Sequence, residues 1–346
     1  MNKRKLGFDE TLGKNVVSAN RCVGCATCVV VCPFSCLNYE DGQPRLVKDC
    51  EECGICPRVC PKFNWSWPEA EEFVFGRRRR ADEDFGISRK LILAQASDEE
   101  IRKKGQDGGF VTALLIHSHN EGIIEGAALA GHTEGKPFYP SPLLATTSQQ
   151  ILRSSGTRYT YSPNMFALKE AVTEKKSLAF VGTPCQVHAV RRIQMFPLKK
   201  YAAPLQFTVG LMCTESFTYK GLFEEELGRN LNVKLNDIRK MNIKGKILIH
   251  LKSGATEEIS LSDAKKYVRP SCHNCRDFSA ELADISAGGL GLKGWTFVVV
   301  RTEKGEEVFN SALNAGALVT KPVEKESFAL KLLSKLTKKK LKNVPR

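Results

Sequence analysis

The chain has 346 residues, 42% hydrophobic and 26% charged, which excludes general disorder and is enough to bury a sizeable core in about two domains. Lys and Arg number 52 against 38 Asp and Glu; the formal charge of +14 calls for an acidic partner, be it nucleic acid, anionic lipid, an acidic subunit or a polyanionic coenzyme. No apolar run reaches the roughly 18 residues of a spanning helix and MNKRKLGFDE lacks a signal-peptide core, so a cytoplasmic protein is expected, attached to the inner face of a membrane only peripherally.

Residues 1–20 read as a lead-in, with VVSAN as a short strand. The pattern Cys-x2-Cys-x2-Cys-x3-Cys-Pro then occurs twice, as CVGCATCVVVCP from Cys22 and CEECGICPRVCP from Cys50. This is the ligand run of a bacterial-type ferredoxin with two 4Fe-4S clusters, in which the fourth cysteine of each run serves the other cluster. It assigns Cys22, Cys25, Cys28 and Cys60 to one cluster, and Cys50, Cys53, Cys56 and Cys32 to the second. Zinc ribbons need only two Cys-x2-Cys pairs, and disulfides neither require the doubled register nor suit a reducing cytoplasm. Between the runs, NYEDGQPRLVKD carries an Asp-Gly turn signal.

The ferredoxin unit spans 1–64. Residues 65–88, with the charge block Arg77–Arg80, read as a linker without sustained period, the block itself solvated or facing a subunit. Residues 89–330 alternate: LILAQA strand, SDEEIRKKG helix capped by Ser97 or Asp98, GFVTALLIHSHNEG helix, IIEGAALAG strand, FALKEAVTEK helix, SLAFVG strand, CQVHAVRRIQMF helix, PLQFTVGLMC strand. That order predicts an α/β domain with a mixed, partly parallel sheet. KILIHLKSGATEEISL reads as a β-hairpin, and WTFVVVRT with GEEVFNSAL as another hairpin and the start of a helix. Residues 331–346 form a basic tail, an amphipathic helix with Leu332, Leu333, Leu336 and Leu341 as its stripe. It is expected either to pack as a solvated end or to lie on an anionic surface.

Five cysteines remain. Cys36 fits no second pattern and reads as a packed thiol. Cys185 and Cys213 stand at the C-terminal ends of predicted strands, where α/β folds place ligand sites, and Cys272 and Cys275 form a Cys-x2-Cys. Spacing alone leaves a third cubane, a zinc site or unrelated core cysteines open. GQDGG at 105–109 leads into a helix and offers amides to a phosphate, or is an ordinary tight turn. GGLGLKG at 288–294 contains Gly-x-Gly-x-x-Gly but precedes a strand, so a Rossmann fingerprint is rejected. SSGTRYTYSPN at 154–164 suits a flavin as well as a loop.

QDGGFVTALL, SSGTRYTYSPN, GTPCQ, MCTES, CHNCRDFSAELADISAG and GLKGW together resemble the family of coenzyme F420 hydrogenase/dehydrogenase beta subunits, over roughly residues 88–330. The resemblance implies an FAD site without a Rossmann fold, coenzyme F420 as substrate, and a further 4Fe-4S cluster on Cys185, Cys213, Cys272 and Cys275, three clusters in all. It places flavin contacts at Gln106, Asp107, Gly108, Gly109, Thr157, Arg158, Tyr159 and Asn164. Thr214-Glu215 and Arg158 depart from the family's commoner Met-Glu and Lys, without loss of a ligand.

A ferredoxin unit ahead of the flavin domain is most similar to the input subunits of F420H2:quinone or F420H2:methanophenazine oxidoreductases. The implied partners are other subunits of a membrane-bound electron-transfer complex or a soluble acceptor. The runners-up are a ferredoxin-dependent flavin and iron-sulfur reductase and an F420-linked hydrogenase or formate dehydrogenase subunit. A basic iron-sulfur or zinc protein that binds nucleic acid is disfavoured, because the cysteine loops hold few basic residues.

Overall fold

The computed structural model describes residues 7–174, 176–324 and 327–342. The first six residues of the lead-in, Lys175 at the end of FALKEAVTEK, and residues 343–346 of the tail lie outside them.

The N-terminal segment is helical rather than a strand at VVSAN: a helix covers Asp9–Val17. Phe8, Leu12 and Val16 recur every four residues and are all buried, so they form one apolar face and helical period prevails over the β-branched pair Val16-Val17. The Asp-Gly signal is realised as a hairpin of strands β1 (Leu37–Glu40) and β2 (Gln43–Leu46), with Asp41 and Gly42 both left-handed at φ 50° and 79°.

The expected linker is ordered. Ser66 accepts from the Glu69 amide and caps a helix over Trp67–Phe75, which Gly76 ends in the left-handed region. Ala70 is buried with Val187, Ala280, Leu282 and Ala283. The arginine block pairs locally: Arg77 with Glu83, Arg78 with Glu72, Arg80 with Asp82 and Glu83. Arg79 alone turns inward, to Glu71 and Glu281.

The main body is an eight-stranded sheet. Its strands are β3 (Lys90–Ala96), β4 (Gly126–Thr133), β5 (Lys136–Ala145), β6 (Leu178–Gly182), β7 (Leu205–Leu211), β11 (Ile285–Gly288), β12 (Thr296–Val300) and β13 (Leu318–Pro322), and their spatial order is β13-β3-β12-β11-β7-β6-β4-β5. The four central strands β11, β7, β6 and β4 run parallel, and the outer strands pair antiparallel. β12 pairs with β11 and β3, while GEEVFNSAL is not a second hairpin arm but part of the helix Glu303–Asn314, capped by Thr302.

Side-chain alternation divides the core into two faces. Ala127, Ala179, Val181, Val298 and Val300 pack with the helices Phe110–Asn120 and Glu303–Asn314. Ala128, Leu178 and Phe180 pack on the other side with the helices Met165–Glu174 and Pro184–Met195 and with Val23, Val30, Val31 and Val59 of the cysteine-rich unit. That unit is therefore part of the core, not an appendage. A separate antiparallel sheet, β8 (Ile238–Ile243), β9 (Lys246–Leu251) and β10 (Thr256–Ser260), contains the expected hairpin and packs with the helix Lys220–Asn230.

The tail helix, Phe328–Lys342, lies on the body. Ala329 and Leu333 are buried against Leu93, Phe278, Phe297 and Val299, with Leu332 and Leu336 beside them. Leu332, Leu333 and Leu336 of the expected stripe are thus used within the chain, while Leu341 is exposed. Among the described residues no helix is long and apolar enough to cross a membrane.

Candidate cysteine centres and the adjoining loop site

The structure brings the members of each expected ferredoxin-type set together. One cavity is lined by Cys22, Cys25, Cys28 and Cys60 with Leu12, Val16 and Val23, and another by Cys32, Cys50, Cys53 and Cys56 with Phe8, Phe34 and Leu37. Cys28 and Cys56 are electrostatic neighbours, so the cavities adjoin. Cys36 is buried, borders the second cavity and belongs to neither set, as expected of a packed thiol.

The sulfurs receive donors: the amides of Gly24, Cys36, Phe8 and Lys62 point to Cys22, Cys32, Cys50 and Cys60, each at 3.4 Å, and the Thr27 hydroxyl lies 3.2 Å from Cys25 Sγ. Burial pushes the Cys25, Cys56 and Cys60 thiols up to about 12. The thiols of the first set, Cys22, Cys25, Cys28 and Cys60, are all raised by burial and would become thiolates only with a cationic centre among them. Among the described residues, no three His, Cys, Asp or Glu side chains converge on a single-ion position. Four sulfurs around a cavity, with N–H donors to sulfur, fit a polynuclear cluster.

The remaining four cysteines also meet. Cys185 sits in the first turn of Pro184–Met195, where Thr183 and Gln186 form a capping box: the Thr183 amide donates to Gln186 Oε1 at 2.9 Å. Cys213 lies two residues past β7, Cys272 lies within the turn Pro270–Asn274, and Cys275 directly follows it. Cys185 neighbours Cys275, and Cys213 neighbours Cys272, Cys185 and Cys275. Burial raises all three of Cys185, Cys213 and Cys272. This group stands beside the first cavity, since Cys185 is also a neighbour of Cys22 and Cys25. Two bonds fix that junction: Arg269 Nη1 donates to the Val23 carbonyl at 2.9 Å, and Lys62 Nζ to the Asn274 carbonyl at 3.2 Å.

The eight expected flavin residues divide. Gln106 Nε2 and the Tyr159 hydroxyl both donate to the Met241 carbonyl, at 3.0 and 3.1 Å, and Lys240 Nζ donates back to the Gln106 carbonyl at 2.9 Å, so β8 walls this loop site. The Asp107 carboxyl is raised by burial, against Lys240 and Lys244 nearby. Gly289 makes room for it, because a Cβ there would fall 2.2 Å from Asp107 Oδ2. Gly108 and Gly109 are left-handed at the start of Phe110–Asn120, and a Cβ on Gly108 would meet the Gly294 carbonyl at 2.9 Å. Arg158 is knitted into its own loop, donating to the carbonyls of Ser154, Ser155 and Gly156 and contacting His132 Nε2 at 2.6 Å. Thr157 is exposed beside it.

Asn164 makes its bond to β6 rather than to β8. It is buried and donates to the Val181 carbonyl at 2.9 Å, while its Oδ1 and the neighbouring Ser162 Oγ have no partner. Sequence reading passed over Tyr161 and Arg269: the Tyr161 hydroxyl is 3.8 Å from Cys185 Sγ, and the Arg269 guanidinium lies 4.2 Å from the centre of the Tyr161 ring. Both sat beside quoted motifs, Tyr161 inside SSGTRYTYSPN and Arg269 three residues before Cys272, but nothing in the spacing paired them.

Fold and cysteines together define a mixed α/β protein with a cysteine-rich unit docked at one face of its sheet. The chain belongs to the family of coenzyme F420 hydrogenase/dehydrogenase beta subunits: residues 91–169 match its N-terminal part and 175–326 its C-terminal part. It is 40% identical to the beta component of the coenzyme F420 hydrogenase of Methanosarcina barkeri, over 72% of this chain and 87% of that protein. It is 30% identical to a component of the F420H2 dehydrogenase of Methanosarcina mazei, over 94% of this chain and 91% of that protein. The latter coverage is too high to omit the cysteine-rich unit. A chain of the F420-reducing NiFe hydrogenase complex from Methanosarcina barkeri superposes with a TM-score of 0.73 at 38% identity, covering 77% of this chain and 92% of that one.

Proposed function

We propose that the chain is the F420H2-oxidising input subunit of an electron-transfer complex, taking a hydride from reduced coenzyme F420 and delivering its two electrons singly to a partner subunit. FAD, when bound, would supply the change from hydride to single electrons, and the Cys185, Cys22 and Cys50 groups would hold 4Fe-4S clusters suited to single-electron transfer. The observation that carries this reading is the contiguity of the three cysteine groups, from the Cys185 group through the Cys22 group to the Cys50 group. Cys53 is exposed and marks the outer end, beside Phe34, which is 45% exposed. The near full-length relation to a protein named as part of an F420H2 dehydrogenase supports the same direction of use.

At the inner end, Gln106, Asp107, Tyr159 and Lys240 form a polar wall, and Gly108 and Gly109 open the helix Phe110–Asn120 towards it, where backbone amides favour a phosphate. The partnerless Ser162 and Asn164 oxygens are the sort of buried groups that a polar ligand or water satisfies. These residues would hold FAD and orient F420H2. The cations Lys240 and Lys244 would attract the coenzyme's phosphate and glutamate groups.

The test is anaerobic addition of F420H2 to the cofactor-loaded protein. Rapid bleaching of both flavin and cluster absorption is expected; bleaching of neither, with flavin and iron present, rejects the proposal. The higher identity to hydrogenase beta subunits supports a second reading, an F420-reducing hydrogenase subunit. Copurification with a nickel-containing subunit and H2-dependent F420 reduction would establish it instead.

A further inference from the structure

The tail helix brings a buried cation to the third cysteine group. Lys340 is 7% exposed, although it sits in the most basic stretch of the chain, where its neighbours Lys338 and Lys339 are exposed. Its ammonium lies beside the side chains of Cys275, Cys213 and Cys272. The helix is held in that position at several points. Ala329 and Leu333 pack on Phe278, Ser334 Oγ donates to Asp84 Oδ2 at 2.8 Å, and Lys338 pairs with the same carboxylate at 2.6 Å. One turn before Lys340, on the same helix face, Thr337 is fully buried and its Oγ1 has no partner.

A buried ammonium is costly unless it is matched by negative charge. The groups that face Lys340 are Cys213, Cys272 and Cys275, so a negatively charged group held by these cysteines would supply the matching charge. We infer that Lys340 is the fixed counter-charge of the Cys185/Cys213/Cys272/Cys275 centre, a positioning and tuning residue that favours the more reduced state of whatever cluster these cysteines hold. Adding one electron makes the ligated group one unit more negative, and a cation beside three of its four ligands stabilises that change. No proton is taken up or released, because the ammonium keeps its charge in both states. The centre nearest the loop site is thereby made a better one-electron acceptor, and it is the tail helix, remote in sequence, that makes it so.

The inference rests on the proposed ligand set, and the test separates the two. Full-length wild type, Lys340→Arg, Lys340→Gln and Lys340→Met are loaded with iron and sulfide anaerobically, analysed for iron, and titrated potentiometrically with EPR detection. Wild type is expected to hold about twelve irons, as three four-iron clusters require. Lys340→Gln and Lys340→Met should lower the reduced-to-oxidised ratio of one cluster about tenfold at fixed potential, which is 59 mV for one electron. Lys340→Arg should keep the ratio, and the other two clusters should not move. Loss of four irons in the Gln and Met variants but not in Arg would equally mark the charge as the essential feature.

A ratio within threefold of wild type in the Met variant, with its iron retained, overturns the inference. So does loss of four irons in all three variants, which would assign Lys340 to packing. Eight irons in wild type would remove the ligand set itself.

Discussion

Replacing Arg79 with alanine tests whether residues 65–88 are part of the folded body. Among the described residues Arg79 is the sole cation ion-paired with both Glu71 and Glu281, whose side chains are 5% and 2% exposed, and it stacks 5.5 Å from the centre of the Trp67 ring. Removing one partner of a buried ion pair costs roughly 3–5 kcal/mol. Arg79 is itself 22% exposed, so water can reach the vacated space and the lower figure, about 3 kcal/mol, applies. The loss should appear locally, as an increase of roughly a hundredfold in amide hydrogen exchange across Trp67–Phe75.

The pH dependence follows from Glu281. Burial, then the Asp277 carboxylate, raises its pKa to about 7 even with Arg79 opposing them. A carboxyl whose folded value lies above its unfolded one binds more protons when folded, so its contribution to stability falls as pH rises from the unfolded value through the folded one. Without Arg79 the folded value rises further and the loss deepens. The variant should therefore be destabilised more at pH 8 than at pH 5.5, where Glu281 escapes by protonation. Exchange changed less than threefold at pH 8, or changed more at pH 5.5, would refute the packing argument.

Cys275→Ala is expected to lose four of twelve irons and slow transfer out of the flavin while F420H2 oxidation by the flavin survives. Cys56→Ala should lose a different four and block only delivery to the acceptor, and iron analysis with single-turnover absorbance checks both. Gly108→Ala, at φ +75° and with its Cβ 2.9 Å from the Gly294 carbonyl, should lower stability by about 1–3 kcal/mol in thermal unfolding and weaken flavin retention. Deleting Phe328–Lys342 should expose Phe278 and Leu290 and cause dye binding and aggregation, measured by fluorescence and sedimentation, rather than merely abolish salt-sensitive membrane binding.

The sequence by itself determined the elements and sites whose information is local. The doubled cysteine register sorted eight cysteines into two expected ligand sets because cluster ligation constrains short spacings, and the structure gathers those same sets around two cavities. Asp41-Gly42 specified its hairpin through left-handed φ, and Asp98 its helix cap through one side-chain bond to the Ile101 amide. The alternation of strands and helices across 89–330 announced an α/β domain because burial on both faces of a parallel sheet requires it.

Only the tertiary structure decided what depends on partners far along the chain. The 65–88 segment is charged, carries a Pro and two Gly and shows no sustained period, and so looked like a linker; it is fixed by Glu281, some two hundred residues away from Arg79. Strand β5 went unread, since Pro137, Pro140 and Pro142 interrupt it and are tolerated only because it is an edge strand. Lys340 gave no local signal, being one cation among seven in a basic tail. Its role arises because the folded sheet places Phe278, and with it Cys275, beneath the last helix. A charge's meaning depends on the dielectric and the charges around it, and spacing along a chain encodes neither.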